Sequence, residues 1–172
     1  GVGIDRFGLI DSNGIPSVFF SGGVQPGNNG VKAWWFNSTT GYIGGNWNTG
    51  LDPYFIQVDI NGGVSGSQPG VPQDQINALH EWNGNLYLGG TFTEIDGNSE
   101  LTRISGFSLS NGTFFSVGSG IPNNAVNTFA SNGSLSLYVG GTFTSVTSSS
   151  CSRFCEWNGV SWEAPGSQTF ND

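Results

Sequence analysis

A five-residue sequence, Gly-Gly-Thr-Phe-Thr, occurs at residues 89–93 and again, letter for letter, at residues 140–144. A degenerate copy, Ser21-Gly22-Gly23-Val24-Gln25, precedes both. Self-similarity at a period of about 50 residues is typical of proteins in which each repeat is one supersecondary unit that buries its apolar face against its neighbours. The sequence therefore predicts a tandem repeat.

The repeated box divides the chain into units. We expect a first repeat at residues 1–52, an insertion or loop at 53–70, a second repeat at 71–121 and a third at 122–172. The second and third units align without gaps from their apolar-Pro openings, Val71-Pro72 and Ile121-Pro122.

Each of the last two units contains four short segments rich in β-branched and aromatic residues, as strands are. These segments are residues 76–82, 86–88, 101–109 and 113–117 in the second unit and 126–131, 137–139, 151–157 and 160–164 in the third. Asn83-Gly84 and Asn132-Gly133 supply the strongest short hairpin signal. In the first unit, residues 32–36 are expected to be the third strand, and residues 54–60 of the insertion are a candidate for an extra strand.

Four antiparallel strands in about 50 residues is the pattern of a β-propeller blade. We therefore expect an all-β fold with about three propeller-like blades. Because propellers usually close with at least four blades, and because the chain lacks a Met at position 1, we expect it to be a fragment of a larger array.

The Asn-Gly turns, the Leu-Tyr-Leu-Gly-Gly-Thr-Phe-Thr strand end of residues 86–93 and the Trp-Asn-Gly-x-x-Trp of residues 157–162 resemble the kelch and galactose-oxidase-like propeller superfamily. They are most similar to repeats of large secreted or cell-surface propeller proteins, including fungal cortical polarity markers. Such motifs indicate a fold and say little about chemistry.

Composition favours a secreted protein and argues against nucleic-acid binding. Only 9% of the residues are charged, the net charge is -8, and there are four Lys and Arg residues, too few for a phosphate-binding patch. No apolar run approaches the roughly 20 residues that span a bilayer. Three N-x-Ser/Thr acceptors, Asn37, Asn111 and Asn132, fall at expected hairpin turns and suggest N-glycosylation, although such residues are also ordinary turn formers.

Two sets of charged and polar residues are candidate sites. Lys32, Arg103 and Arg153 are each expected to open a third strand, where they could bond to the next blade or hold an anionic ligand. Glu94, Asp96, Asn98 and Glu100 supply hard oxygen ligands suited to calcium, without EF-hand spacing; a solvated acidic loop is the alternative.

The cysteines and the single histidine restrict other chemistry. Cys151 and Cys155 lie about 13 Å apart if the strand is straight, so a disulfide requires a bulge or loop between them; free thiols or intermolecular bonds are the alternatives. One histidine, His80, cannot supply the several imidazoles of a galactose-oxidase-type copper site, and its place in a different unit from the cysteines argues against a zinc site.

Tryptophans offer a further possibility. Trp34, Trp35 and Trp82 are candidate platforms for sugar rings, with packing between blades as the alternative. We therefore expect a non-enzymatic structural or adhesive module of an extracellular glycoprotein, without a cofactor other than the candidate calcium. Its expected partners are other copies or flanking repeats of the same protein. A carbohydrate-binding module is the second expectation.

Overall fold

The computed structural model describes residues 8–10, 16–18, 30–46, 54–59, 69–119, 122–147, 149 and 151–165. Within these ranges the chain forms antiparallel β-strands joined by turns, with no helix. The all-β prediction is confirmed.

The strands form a two-stranded ribbon and three larger sheets, each of which adds its strands in chain order. The ribbon pairs β1 (Gly8–Ile10) with β2 (Pro16–Val18). The first sheet contains β3 (Val31–Phe36), β4 (Thr40–Gly45) and β5 (Phe55–Asp59). The second contains β6 (Ile76–Trp82), β7 (Asn85–Gly90), β8 (Ile104–Ser108) and β9 (Phe114–Phe115). The third contains β10 (Val126–Asn132), β11 (Ser136–Gly141), β12 (Phe154–Trp157) and β13 (Trp162–Glu163).

The hairpin between β6 and β7 forms where the sequence predicts it. Asn83 and Gly84 both have positive φ angles, 51° and 75°, as the two central residues of a type I′ turn require. Asn tolerates this conformation and glycine adopts it without steric cost, so these two residues set the register of the hairpin.

The first unit is organised differently from the expectation. Residues 32–36 belong to β3, the first strand of a sheet, and β5, which lies in the expected insertion at 53–70, is the third strand of the same sheet. Gly44 and Gly45 end β4 as Gly89 and Gly90 end β7, so the equivalent of the repeated box in this unit begins at Gly44. Residues 21–25, which the sequence suggested for that role, lie outside the described residues.

Apolar side chains fill the space between successive sheets. One buried cluster joins Tyr42 and Phe55 of the first sheet to the second, and its other members are Ile76, Leu86, Leu88, Phe92, Ile95, Leu101 and Phe107. A second cluster joins Tyr87 and Ile104 of the second sheet to Val126, Leu137 and Val139 of the third. The first strands are also neighbours, since β6 contacts both β3 and β10.

The glycine pair explains how closely the sheets approach. A Cβ atom on Gly44 would lie 2.5 Å from Cγ2 of Ile76, and one on Gly89 would lie 2.5 Å from Cγ1 of Val126. Gly44 and Gly89, the first glycines of the first two pairs, therefore contact the opening residue of the next sheet. A Cβ on the second, Gly90 or Gly141, would lie 2.1 Å from the carbonyl oxygen of Gln75 or Ala125 respectively. Neither position has room for a side chain.

The described sheets do not close into a ring. Their arrangement as propeller blades stays a prediction.

Candidate functional site

Lys32 lies in the first strand of its sheet, so the expectation that it opens a third strand with Arg103 and Arg153 is wrong. Its equivalents are Asn77 in β6 and Asn127 in β10. In each of these strands, pairing with the second strand skips one position, between Val31 and Ala33, Ile76 and Ala78, or Val126 and Thr128. Lys32, Asn77 and Asn127 therefore occupy equivalent β-bulges in three successive sheets.

The residues that do precede the third strands are Tyr54, Arg103 and Arg153. All three have positive φ angles, 64°, 63° and 63°, a conformation uncommon for residues with a Cβ atom. The carbonyl oxygen of each accepts a hydrogen bond from the second glycine of the preceding pair: Gly45 N donates to Tyr54 O at 3.1 Å, Gly90 N to Arg103 O at 3.0 Å and Gly141 N to Arg153 O at 2.9 Å. We call this position the strand hinge. The Arg103 guanidinium also donates to the Thr91 carbonyl oxygen, and we infer a structural role for it.

The four oxygen-bearing side chains of the acidic loop do not converge. Asp96 Oδ1 accepts a hydrogen bond from Val71 N at 2.9 Å, and Asn98 Oδ1 accepts one from Glu100 N at 3.0 Å. The carbonyl oxygen of Glu94 accepts a bond from Gln73 N at 3.1 Å. Nowhere in the described residues are three or more His, Cys, Asp or Glu side chains placed to hold a metal ion. This loop anchors residues 71–73, and the calcium hypothesis has no support from its geometry.

The strand hinge brings the two cysteines together. Cys151 and Cys155 form a disulfide whose Cα atoms are 5.5 Å apart, far closer than a straight strand allows. β12 begins only at Phe154, because the positive φ of Arg153 redirects the chain between the two cysteines. This disulfide is compatible with a secreted protein.

The three sequon asparagines are exposed at the hairpin turns where the sequence predicts them. Asn37 lies between β3 and β4, Asn111 between β8 and β9, and Asn132 at the end of β10. Their accessibility would admit a glycan, and their occupancy stays a prediction.

The three candidate sugar-stacking tryptophans differ in exposure. Trp82 is buried, and its Nε1 donates to the Gly133 carbonyl oxygen at 3.0 Å, so it cannot serve as a platform. Trp35 is half-buried and stacks on Tyr42 with ring centroids 6.1 Å apart. Trp34 remains 54% exposed. Of the three, Trp34 alone presents an accessible indole.

A shallow groove of about 280 Å³ runs across β3, β6 and β10 and brings Trp34 together with the three bulge residues. We call it the bulge groove. Lys32 Nζ donates to Asn77 Oδ1 at 3.4 Å, and Asn77 Nδ2 donates to Asn127 Oδ1 at 3.0 Å. Bulges redirect side chains and are frequent beside functional sites. The sequence carries a signal for this row that was missed. It is the alignment of Val31-Lys32-Ala33 with Ile76-Asn77-Ala78 and Val126-Asn127-Thr128.

His80 lies between the second and third sheets. Its Nε2 is 3.0 Å from Ser131 Oγ. Partial burial lowers the pKa of His80 below its ordinary value, and nearby Glu81 opposes this shift.

A larger cleft, about 540 Å³, separates the outer parts of the second and third sheets. Trp82, Tyr87 and Trp157 line it, and burial raises the pKa of Tyr87 although a hydrogen bond with Trp157 opposes that shift. Its amides are used by the turns: Asn83 Nδ2 donates to Ser134 O at 3.1 Å, and Asn158 Nδ2 donates to Ser161 Oγ at 3.1 Å. This cleft therefore offers fewer polar groups to a ligand than its lining residues suggest.

Searches for similar proteins found no match among protein-family models, curated proteins or solved structures. None of the described residues forms a helix that is long and apolar enough to cross a membrane.

Proposed function

We propose that this chain is a non-enzymatic structural or adhesive module of a secreted, glycosylated protein. In this proposal its sheets pack as blades of a kelch- or galactose-oxidase-like propeller array, and its contacts are with other repeat units. The regular packing of first strands β3, β6 and β10 supports a blade-like arrangement. The disulfide, the exposed sequons and the low charge density support an extracellular location.

One observation carries the proposal of repeat-to-repeat contact. Phe55, Ile104 and Phe154 are equivalent, since each begins the third strand of its sheet opposite the first glycine of the pair. Phe55 is 1% exposed and Ile104 is 2% exposed, and both belong to the clusters that join one sheet to the next. Phe154 is 48% exposed and stacks on Tyr138, with ring centroids 5.7 Å apart. The third sheet thus presents an apolar pair where the earlier sheets carry a neighbour.

Sedimentation of the chain at increasing concentration tests this proposal. We expect association that Phe154→Ser abolishes, because the substitution removes the ring that a neighbouring unit would cover. Leu135→Ser is the matched control: it also replaces an exposed apolar side chain of the third sheet, but at the hairpin turn.

Two results would contradict the proposal. The wild-type chain could stay monomeric throughout, or Leu135→Ser could weaken association as much as Phe154→Ser does.

Carbohydrate binding is the second candidate function. The exposed Trp34 indole beside the polar row of the bulge groove favours it. An aromatic face next to hydrogen-bonding side chains matches the mixed apolar and polar surface of a sugar.

A further inference from the structure

The hydrogen bonds within the bulge groove fix which atoms of Asn77 donate and which accept. Asn77 is fully engaged, because Oδ1 accepts from Gln75 Nε2 at 2.7 Å and from Lys32, and Nδ2 donates to Val126 O at 3.1 Å and to Asn127 Oδ1. The amide orientation of Asn77 is therefore fixed by two sheets at once.

This orientation leaves donors at both ends of the row. The Lys32 ammonium has three N–H donors, and its bond to Asn77 at 3.4 Å is long and uses one of them. Asn127 Oδ1 accepts one bond from Asn77, which turns this oxygen towards Asn77, and the Nδ2 donor of Asn127 is available to a ligand together with the second lone pair of Oδ1. A ligand that supplies acceptors complements the Lys32 ammonium and Asn127 Nδ2.

The charge at the groove suits a single anion. Neither Asp nor Glu occurs among its described lining residues, and Lys32 is its cation. One ammonium matches the single charge of a carboxylate, whereas proteins that bind nucleic-acid phosphates use several cations. The net charge of -8 repels anions at long range, but at physiological salt charges more than about 8 Å from the groove are largely screened. The local Lys32 therefore dominates.

The size and aromatic content of the groove indicate what carries that carboxylate. Its volume of about 280 Å³ lies below the roughly 300–1,000 Å³ of sites for drug-sized ligands, so it accommodates about one ring. Trp34, 54% exposed, and the half-buried Phe129 supply an aromatic surface for the apolar face of that ring.

We propose that the bulge groove binds a sugar ring bearing one carboxylate, such as a uronic acid residue in an acidic polysaccharide. The carboxylate accepts a hydrogen bond from Lys32 Nζ, a ring hydroxyl accepts one from Asn127 Nδ2, and the ring stacks on Trp34. This inference rests on the second proposed function, carbohydrate binding, and narrows it to acidic sugars.

Titration with an oligosaccharide of glucuronic acid and with its neutral, carboxyl-reduced counterpart tests the assignment, with heat release as the readout. We expect the acidic probe to bind more tightly. Lys32→Gln should weaken its binding about tenfold, the loss expected for one charge-assisted hydrogen bond, and should leave binding of the neutral probe unchanged. Arg153→Gln is the matched control, since it removes the same charge outside the groove and should change neither affinity.

The remaining outcomes separate this inference from the function on which it rests. Trp34→Ala should weaken both probes if the ring stacks there. If both probes bind wild type equally, or if Lys32→Gln weakens the acidic probe no more than Arg153→Gln does, carbohydrate binding stands and the acidic assignment is overturned. If neither probe binds wild type, both are overturned. A thermal melt of Lys32→Gln that matches wild type shows that a lost affinity is not lost folding.

Discussion

At the scale of single residues, the first glycine of the pair sets the distance between sheets wherever another described sheet follows. Gly44 and Gly89 each receive a β-branched side chain from the next sheet, while at Gly140 the nearest described side-chain atom, Thr128 Cγ2, belongs to the same sheet and would lie 2.8 Å from an added Cβ. The same sequence position thus has different neighbours in the last sheet.

This difference predicts unequal costs for the same substitution. Gly89→Ala should lower the free energy of unfolding by about 1–3 kcal/mol, because the added methyl group overlaps Val126 and Phe129 across the interface. Gly140→Ala should lower the free energy of unfolding by less, because the nearest atom, Thr128 Cγ2, belongs to a side chain that can change its rotamer. Urea denaturation of both variants measures the costs, and equal values would contradict the role of Gly89 in spacing the sheets.

The lowered pKa of His80 predicts a pH dependence of stability. Because burial lowers the pKa of the folded state below the ordinary value of 6.5, the unfolded chain binds more protons in the window below 6.5. Stability from this group is therefore complete above pH 6.5 and decreases as the pH falls towards the folded-state value. His80→Gln should reduce the slope of unfolding free energy against pH in that window. An unchanged slope would contradict this assignment to His80.

At the scale of strands, the third strand begins later than the sequence suggests. Residues 101–109 and 151–157 look like continuous strands, yet β8 begins at Ile104 and β12 at Phe154. The cause is the strand hinge, where Arg103 and Arg153 adopt a left-handed conformation. Arginine rarely adopts this conformation, so the sequence does not predict it. Tertiary hydrogen bonds from the glycine pair hold them there.

The conformation of the strand hinge predicts which substitutions at Arg153 are tolerated. Arg153→Val should lower the free energy of unfolding by about 1–2 kcal/mol, because a β-branched residue is poorly tolerated at positive φ. Arg153→Gly should be nearly neutral, since relief of strain offsets the greater entropy of the unfolded chain. Denaturation midpoints of the two variants would contradict this interpretation if they coincide.

Much of the strand pattern was predictable, and the register of the first unit was not. Asn83-Gly84 and the two exact copies of the box located β6, β7, β10 and β11 closely. In the first unit the box is reduced to Gly44-Gly45, and residues 32–36 were wrongly expected to be a third strand. That error hid the equivalence of Lys32 with Asn77 and Asn127, and with it the bulge groove.

At the scale of the whole molecule, stability depends on contacts between neighbouring sheets. The middle sheet contributes to both buried clusters, one on each side, so it has the most complete apolar environment. Where repeated units stack, each unit and each interface between adjacent units contributes to stability.

This coupling predicts a gradient of hydrogen exchange. Amides of β7, which is paired on both edges and buried along residues 86–90, should exchange most slowly. Amides of β13, a two-residue edge strand, should exchange fastest among the strands of the third sheet. Mass spectrometry of exchanged peptides measures the gradient, and uniform protection would show that the three sheets open as a single unit.

The strand order within each sheet also determines when that sheet can fold during synthesis. Every strand in the described part of the chain pairs with its immediate neighbour in sequence, so each of these sheets can form once its own residues have been synthesised, without waiting for a distant partner. Such short-range pairing lowers the entropic cost of closing loops and favours rapid folding. It also permits the array to gain or lose a unit by duplication or deletion without rewiring any existing sheet.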